Sequence, residues 1–167
     1  MILICYDGST DARAALGRAA ELFSGRAATV LTVWQPYAQV IAREGLGFGT
    51  VSAGDDPPAI DEASRRFAED TAHEGARLAG EAGMAASPWV REQMTTAARA
   101  ILGEAEKLGA DAIVLGSRGR TGLKSLLLGS VSHEVIQHAD RAVVVVPSQA
   151  VAASRARRLH DDAIAVG

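Results

Sequence analysis

The sequence predicts an α/β protein with one doubly wound, open parallel sheet of five strands and helices on both faces. Short apolar runs alternate with longer segments of helical periodicity along the 167 residues. Four of the five runs are apolar throughout, as expected of strands that helices cover on both faces. A helix between two strands makes those strands parallel, with a right-handed crossover. The chain length fits one domain.

Each element follows from a local pattern. Strands are predicted where β-branched and apolar residues cluster, and helices where apolar residues recur at spacings of three and four. Ser9 is expected to cap the first helix, and Gly109 to end the third. The predicted order is strand 2–6, helix 10–23, strand 29–34, helix 59–82, strand 87–92, helix 95–108, strand 112–115, helix 130–138 and strand 142–146.

Two segments fit none of these elements. Residues 35–58 contain many glycines and a Pro57-Pro58 pair, and we predict a long loop with at most a short helix near 40–44. Residues 149–167 follow the last strand and are predicted to form a mobile C-terminal tail, with a short helix as the alternative. The predicted folded domain therefore comprises residues 1–148.

Composition and charge exclude several classes of protein. A net charge of −3 lacks the basic excess of a general nucleic-acid or anionic-membrane binder. No apolar stretch approaches the roughly 20 residues that cross a bilayer, and Asp7 interrupts the start of the chain too early for a secretory signal. The single cysteine, Cys5, excludes an intrachain disulfide and favours a reducing compartment. We therefore expect a cytoplasmic protein without nucleic-acid or membrane partners.

The segment after the fourth predicted strand carries the strongest chemical pattern. It contains Gly116-x2-Gly119-x9-Gly129-Ser130, and residues 116–132 hold three cations and no acid. Glycines let a backbone approach a phosphate, and the helix that Ser130 opens offers free amides at its positive end. Ligands of open α/β sheets bind beyond the carboxyl ends of the strands. The spacing favours a phosphate site; a surface connection with ordinary glycine turns is the alternative that it leaves open.

Other nucleotide and metal motifs are absent from the sequence. No Gly-x-Gly-x-x-Gly follows the first strand and no Gly-x4-Gly-Lys-Ser/Thr occurs, so neither a dinucleotide-binding Rossmann enzyme nor a P-loop NTPase is predicted. His133 and His138 are five residues apart, which is not the spacing of two ligands on one helical face, so no protein-built metal site is expected. No pair of base and nucleophile is evident near the glycine segment. We therefore assign no catalytic residue.

Two separated motifs and the order of the elements resemble the ATP-binding class of the universal stress protein family. The motifs are the glycine pattern from Gly116 to Ser130 and the Asp7-Gly8-Ser9 turn after the first strand; a closing strand ends at Pro147. The resemblance covers about residues 1–148. It implies the strand order 3-2-1-4-5, with ATP and magnesium at the junction of strands one and four.

The resemblance also implies which residues contact which part of the nucleotide. Asp7 would contact ribose or adenine, and Val33 would contact adenine through its backbone. Gly119, Gly129 and Ser130 would hold the phosphates. The residues implied to bind the nucleotide are Asp7, Gly8, Ser9, Val33, Leu115, Gly116, Gly119, Arg120, Gly129, Ser130, Val131 and Ser132.

The last strand is expected to mediate assembly. In the implied strand order the apolar run 143–146 lies at a sheet edge, and such an edge is usually covered or paired. The resemblance implies a homodimer through the strand from Ala142 to Pro147. Coverage of the edge by the C-terminal tail is the alternative.

The sequence thus predicts an ATP-binding regulatory or stress-response module with at most slow ATP hydrolysis, and it does not name a downstream protein partner. Two alternatives stay open. A nucleotide-free interaction module of the same fold would have no need of the glycine spacing. An ATP-pyrophosphatase-type enzyme carries a Ser-Gly-Gly-x-Asp-Ser type loop after its first strand, where this chain has the shorter Asp7-Gly8-Ser9-Thr10.

Overall fold

The computed structural model of the chain describes the backbone of residues 1–43, 56–120 and 128–165. Side chains are described for residues 1–41, 56–120 and 128–157. The elements are β1 (Ile2–Cys5), α1 (Thr10–Leu22), β2 (Ala27–Trp34), α2 (Tyr37–Arg43), α3 (Pro57–Glu81), β3 (Ala85–Glu92), α4 (Ala97–Lys107), β4 (Ala112–Gly116), α5 (Ser130–His138), β5 (Ala142–Val146) and α6 (Gln149–Ala165).

The strands form one parallel sheet in the order β3-β2-β1-β4-β5. β1 lies at its centre, where Ile2 pairs with Ala28 on one side and with Ala112 on the other. β3 is an edge strand, and it tolerates Pro88 because an edge needs no second set of amide donors. The predicted fold class and strand order are confirmed.

Successive residues of the strands face two different helical layers. Ile4 and Val30 pack with α1 and α3 on one face of the sheet, and Leu3 and Leu31 pack with α4 and α5 on the other. This alternation explains why β1 and β4 are apolar throughout. Small residues let the helices approach closely: a β-carbon built on Gly75 of α3 would lie 2.8 Å from both Tyr6 and Val30 side-chain atoms.

The structure refines the sequence prediction in two segments. The short helix allowed within the predicted loop 35–58 is α2, and it begins three residues earlier than expected. The Asp61 carboxylate of α3 accepts a hydrogen bond from the Tyr37 amide at its start, at 2.6 Å. Residues 44–55 of that predicted loop lie outside the described residues. The segment beyond Ser148 forms the helix α6, consistent with its content of alanine and arginine.

α6 follows the sheet without joining its layers. Its described residues make no more than isolated contacts with the strands and helices of the domain. The predicted mobility of this C-terminal segment therefore stays a prediction, although its conformation is helical. In the part of the chain that the structure describes, no helix combines the length and apolar character that crossing a membrane requires.

Candidate functional site

A cleft of about 660 Å³, called here the main cleft, opens at the carboxyl ends of β1, β2 and β4. It lies where ligands of open α/β sheets bind, at the point where the strand order reverses. α4 and the first turn of α5 complete its walls. The residues that line it are Cys5, Tyr6, Asp7, Ala12, Leu31, Val33, Ala97, Ile101, Leu115, Gly116, Arg118, Gly119, Gly129, Ser130, Val131 and Ser132.

The main cleft is apolar on one side and polar on the other. β2 and α4 contribute Leu31, Val33, Ala97 and Ile101. The loop after β4 and the start of α5 contribute glycines, serines and Arg118. Because β2 and β4 flank β1 in the sheet, the two sides lie across β1 from each other. This arrangement suits a ligand with an apolar ring at one end and anionic groups at the other.

The first turn of α5 leaves its backbone amides available to a ligand. Gly129 occupies the N-cap position and provides no side-chain hydrogen bond. Its backbone angles (φ −69°, ψ 159°) nearly equal those of Ser9 (φ −70°, ψ 161°), which caps α1 with its hydroxyl. Within the described residues, the amides of Ser130, Val131 and Ser132 therefore lack both an intrahelical and a side-chain acceptor. Such a helix start attracts an anion.

Buried hydrogen bonds fix the start of α5 to the end of β4. The Ser117 carbonyl accepts from the Gly129 amide at 2.8 Å and from the Ser132 hydroxyl at 3.1 Å. The fully buried Ser117 hydroxyl donates to the Asp11 carboxylate of α1 at 2.8 Å. Ser132 thus lies at the cleft, but its hydroxyl donates within the protein rather than outward.

Asp7 connects the turn after β1 to the loop after β4. Its Oδ1 atom accepts from the Ser9 amide at 3.0 Å, and its Oδ2 atom accepts from the Arg120 amide at 3.1 Å. A β-carbon built on Gly119 would lie 2.9 Å from that same Oδ2 atom. Gly119 is not among the described glycines with positive φ. Its small size therefore matters because of the Asp7 carboxylate, and not because of its backbone angles.

A second, smaller cleft of about 360 Å³ lies on the other side of Asp7, against α3. Here the Arg120 guanidinium lies 5.0 Å from the centroid of the Phe67 ring. The loop arginines therefore diverge: Arg118 lines the main cleft and Arg120 lines this α3-side cleft. The residues that line the α3-side cleft are Asp7, Gly8, Arg13, Phe67, Asp70, Thr71, Glu74 and Arg120.

The structure brings most of the residues of the implied nucleotide set together. All of them line the main cleft except Gly8, Ser9 and Arg120. Gly8 and Arg120 line the α3-side cleft, and Ser9 is the N-cap of α1. Ser9 contributes to the site only by donating its amide to Asp7.

Comparison with known proteins identifies the family. The family model described as "Universal stress protein family" matches residues 1–147. The chain belongs to the universal stress protein family.

Individual relatives of this universal stress protein agree over shorter segments. It is 49% identical over 49 residues to YxiE from Bacillus subtilis, which is 29% of this chain and 33% of that protein. It is 50% identical over 42 residues to MJ0577 from Methanocaldococcus jannaschii, which is 25% of this chain and 26% of that protein. The matched segments therefore span a third or less of these curated relatives.

Solved structures of other universal stress proteins share the fold. The structure of MJ0577 matches with a TM-score of 0.70 at 24% identity, over 87% of this chain and 94% of that one. A universal stress protein from Archaeoglobus fulgidus in complex with dAMP matches with a TM-score of 0.55 at 22% identity, over 87% of this chain and 95% of that one.

Sequence reasoning missed several residues that line the main cleft of this universal stress protein. The sequence pattern indicates only core positions for Cys5 and Leu31. Ala97 and Ile101 reach the cleft because α4 packs across β2 and beside α5, which no local pattern reveals. Arg118 stands outside the implied nucleotide set, although it is one of the three cations of the motif and lies between two of its glycines.

The described titratable groups of the cleft include no activated nucleophile. Burial, followed by the Asp7 carboxylate, raises the pKa of the Cys5 thiol to about 12, so the thiol is protonated at neutral pH. His73, His133 and His138 are exposed. Within the described side chains, no three histidine, cysteine or acidic groups converge to hold a metal ion. That the chain builds no metal site of its own stays a prediction.

Proposed function

We propose that this universal stress protein binds ATP in the main cleft and acts as a nucleotide-dependent regulatory or stress-response module. The observation that carries the proposal is the polarity of the cleft. Its apolar side, formed by β2 and α4, suits an adenine ring, and its polar side ends at the uncapped amides of α5 beside Arg118. The cleft volume of about 660 Å³ also lies in the range of small-molecule sites.

The comparisons support an adenine nucleotide as the ligand class. The Archaeoglobus fulgidus protein with the same fold forms a complex with dAMP. For this chain we assign adenine to the side of Val33 and Leu31, and the phosphates to Ser130 and its neighbours. Leu115 and Gly116 at the end of β4 would lie between the two sides, against the nucleoside.

Magnesium fits the site as a companion of the phosphates. Among the described lining residues of the main cleft, Asp7 is the only acid. Both of its oxygens already accept one backbone amide, from Ser9 and Arg120, which leaves each with remaining lone pairs. A hard cation that keeps several waters and binds mainly to substrate phosphates suits such a donor set. When bound, it would neutralise phosphate charge, with Asp7 as its protein partner.

The chemistry of the cleft supports binding more than turnover. Its described side chains include no base paired with a nucleophile, and the Cys5 thiol is protonated at neutral pH. Hydrolysis is therefore expected to remain far below the roughly 10 per second of a median enzyme. A metal-dependent turnover in that ordinary range, in protein free of contaminating ATPase, would contradict the proposal.

Calorimetry with ATP and magnesium on the purified chain tests the proposal, and Gly119→Val provides the matched variant. Because a β-carbon at Gly119 meets Asp7 Oδ2 at 2.9 Å, valine should displace the Asp7 carboxylate and the loop. The wild-type chain should bind ATP, and a folded Gly119→Val chain should bind it at least tenfold more weakly. Unchanged affinity would contradict this location of the site. A wild-type chain that binds no nucleotide and retains none through gentle purification would favour the nucleotide-free interaction module.

We also propose that the protein works as a homodimer in the cytoplasm. β5 is an edge strand whose valines are only half-buried, and in the described residues α6 makes no extensive contact with it. An uncovered apolar edge favours pairing with a second copy. A single cysteine and a nucleotide ligand are consistent with the reducing, ATP-rich cytoplasm.

A further inference from the structure

Two arginines flank Gly119, and the structure gives them different surroundings. Arg118 lines the main cleft and Arg120 lines the α3-side cleft. We propose that Arg118 makes the main cleft selective for nucleotides with more than one phosphate, such as ATP, over AMP. The inference rests on the proposed nucleotide binding. It adds that the Arg118 side chain distinguishes nucleotides by the number of their phosphates.

Arg120 is engaged away from the main cleft. Its backbone amide donates to Asp7 Oδ2 at 3.1 Å, and its guanidinium lies over the Phe67 ring at 5.0 Å from the centroid. A cation over an aromatic face is held by the charge distribution of the ring. The charge of Arg120 is therefore on the α3 side of Asp7, outside the space where the phosphates would lie.

The guanidinium of Arg118, by contrast, has an unsatisfied hydrogen-bond donor in the described part of the chain. Its Nε atom is buried and has no hydrogen-bond partner among the described residues. A buried donor without an acceptor carries a desolvation cost, and a guanidinium can never be deprotonated to relieve it. Because Arg118 also lines the main cleft, we expect a bound phosphate to draw this side chain into contact and to supply an acceptor. The neighbouring loop residue Gly119 and the N-cap Gly129 line the same cleft.

Two separate anion-binding groups follow from this geometry. The first is the set of unpaired amides at the start of α5, from Ser130 to Ser132. The second is the planar guanidinium of Arg118, whose donors match phosphate oxygens in pairs. Arg118 lies beside the first group, since its Cα atom is 3.5 Å from a β-carbon built on Gly129. A monophosphate satisfies one group, whereas a di- or triphosphate satisfies both.

The test compares two substitutions that change the net charge equally. Arg118→Gln, Arg120→Gln and the wild-type chain are titrated with ATP and with AMP by calorimetry, and circular dichroism verifies that each is folded. Arg118→Gln should weaken ATP binding about tenfold to a hundredfold and AMP binding by less than about threefold, because one charged hydrogen-bond set is lost. Arg120→Gln should change both affinities by less than about threefold.

The other outcomes separate failure of nucleotide binding from failure of the role of Arg118. If the wild-type chain binds neither ATP nor AMP, the proposed function fails and Arg118 selectivity fails with it. If the wild-type chain binds ATP and Arg118→Gln leaves the ratio of ATP to AMP affinity unchanged, only the role of Arg118 is refuted. A loss of ATP affinity confined to Arg120→Gln refutes it as well.

Arg118→Lys keeps the test decisive if Arg118→Gln does not fold. Lysine retains the positive charge but not the planar pair of donors. The ratio of ATP to AMP affinity should then fall by about threefold or more relative to the wild-type chain. A ratio equal to that of the wild-type chain would contradict the inference.

Discussion

Gly116 and Gly129 delimit the glycine segment, yet the space around them differs. A β-carbon on Gly116 would lie 2.7 Å from the Asp11 carbonyl carbon and 2.8 Å from the Ala12 nitrogen. Both contacts are to the backbone of α1, which cannot swing away as a side chain can. A β-carbon on Gly129 would meet nothing closer than 3.5 Å. Gly116 is therefore required by packing, and Gly129 is not.

This difference predicts opposite outcomes for two substitutions. Gly116→Ala should lower the free energy of unfolding by about 1–3 kcal/mol, because α1 must move from β4. Gly129→Ser should leave stability within a few tenths of a kcal/mol or raise it, because serine at these N-cap angles can accept from the first amides of α5. The same hydroxyl would compete with phosphate for those amides, so ATP binding should weaken. Urea unfolding and calorimetry measure the two effects; undiminished ATP affinity in Gly129→Ser would contradict the role of the α5 amides.

The Cys5 thiol provides a chemical readout of the same cleft. Burial, followed by the Asp7 carboxylate, raises the pKa of this thiol to about 12, well above that of a free cysteine. At pH 8 the thiolate fraction is therefore lower by roughly a thousandfold, and alkylation by iodoacetamide should be at least about a hundredfold slower than in the unfolded chain. The chain in concentrated guanidinium chloride is the control, since it presents the same single cysteine. Folded and unfolded rates within tenfold of each other would show that the thiol is not shielded.

At the scale of elements, Glu104 joins α4 to the edge strand β3. This side chain is buried and accepts hydrogen bonds from Trp89 of β3 at 3.0 Å and from Lys107 at 3.0 Å, while Arg91 of β3 lies 3.2 Å away. Burial raises the pKa of Glu104, but the hydrogen bonds from Lys107 and Trp89 outweigh it, and the net pKa lies below the ordinary value. The ionised form of Glu104 therefore stabilises the packing of α4 on β3.

Replacing this carboxylate should produce a stability loss that depends on pH. Glu104→Gln should lower the free energy of unfolding by about 1–3 kcal/mol at pH 7. The pKa of Glu104 is about 4.5 in the unfolded chain and lower in the folded one. Its contribution to the free energy of unfolding is therefore fully present above about pH 4.5 and is lost as the pH falls through the folded pKa. The difference between wild type and variant should thus shrink below about pH 4. Glu106→Gln, at an exposed position of the same helix, is the control; equal losses in the two variants would contradict the prediction.

At the scale of the whole molecule, the two edges of the sheet differ in their protection. β3 carries Pro88 and its Trp89 is tied to α4, whereas β5 is a run of valines between Ala142 and Pro147. The valine side chains pack against the cores of both faces but stay only half-buried, so β5 exposes part of its apolar side chains together with its unpaired backbone edge.

We predict that the full chain is a dimer at micromolar concentration and that a chain ending at Ser148 is also a dimer. The reason is that, in the part of the chain that the structure describes, α6 makes no extensive contact with β5 that would take the place of a pairing strand. Light scattering measures both masses. A monomeric full chain would refute the dimer; a dimer that forms only after truncation would show that the C-terminal segment covers β5.

Most of the fold could be predicted because its signals are local. The apolar runs of β1, β4 and β5 and the helical period of α1 and α5 follow directly from the sequence. The start of α5 is located by Gly129-Ser130, and the carboxyl end of β1 by Asp7. β3 was predicted two residues too short because Pro88 interrupts the pattern of a strand, which only an edge position permits.

The sequence by itself determined the order of the elements, the alternation of strand faces and the residues of the glycine segment, because each depends on neighbours along the chain. Only the tertiary structure decided which of these residues share a cleft. The course of the chain after β4 takes Arg118 to the main cleft and Arg120 to the α3 side, although the two residues are separated by a single glycine. Likewise, Asp7 determines why position 119 must be small, through a contact between residues 112 positions apart in sequence. Such contacts depend on how helices pack on the sheet, and no local pattern encodes that packing.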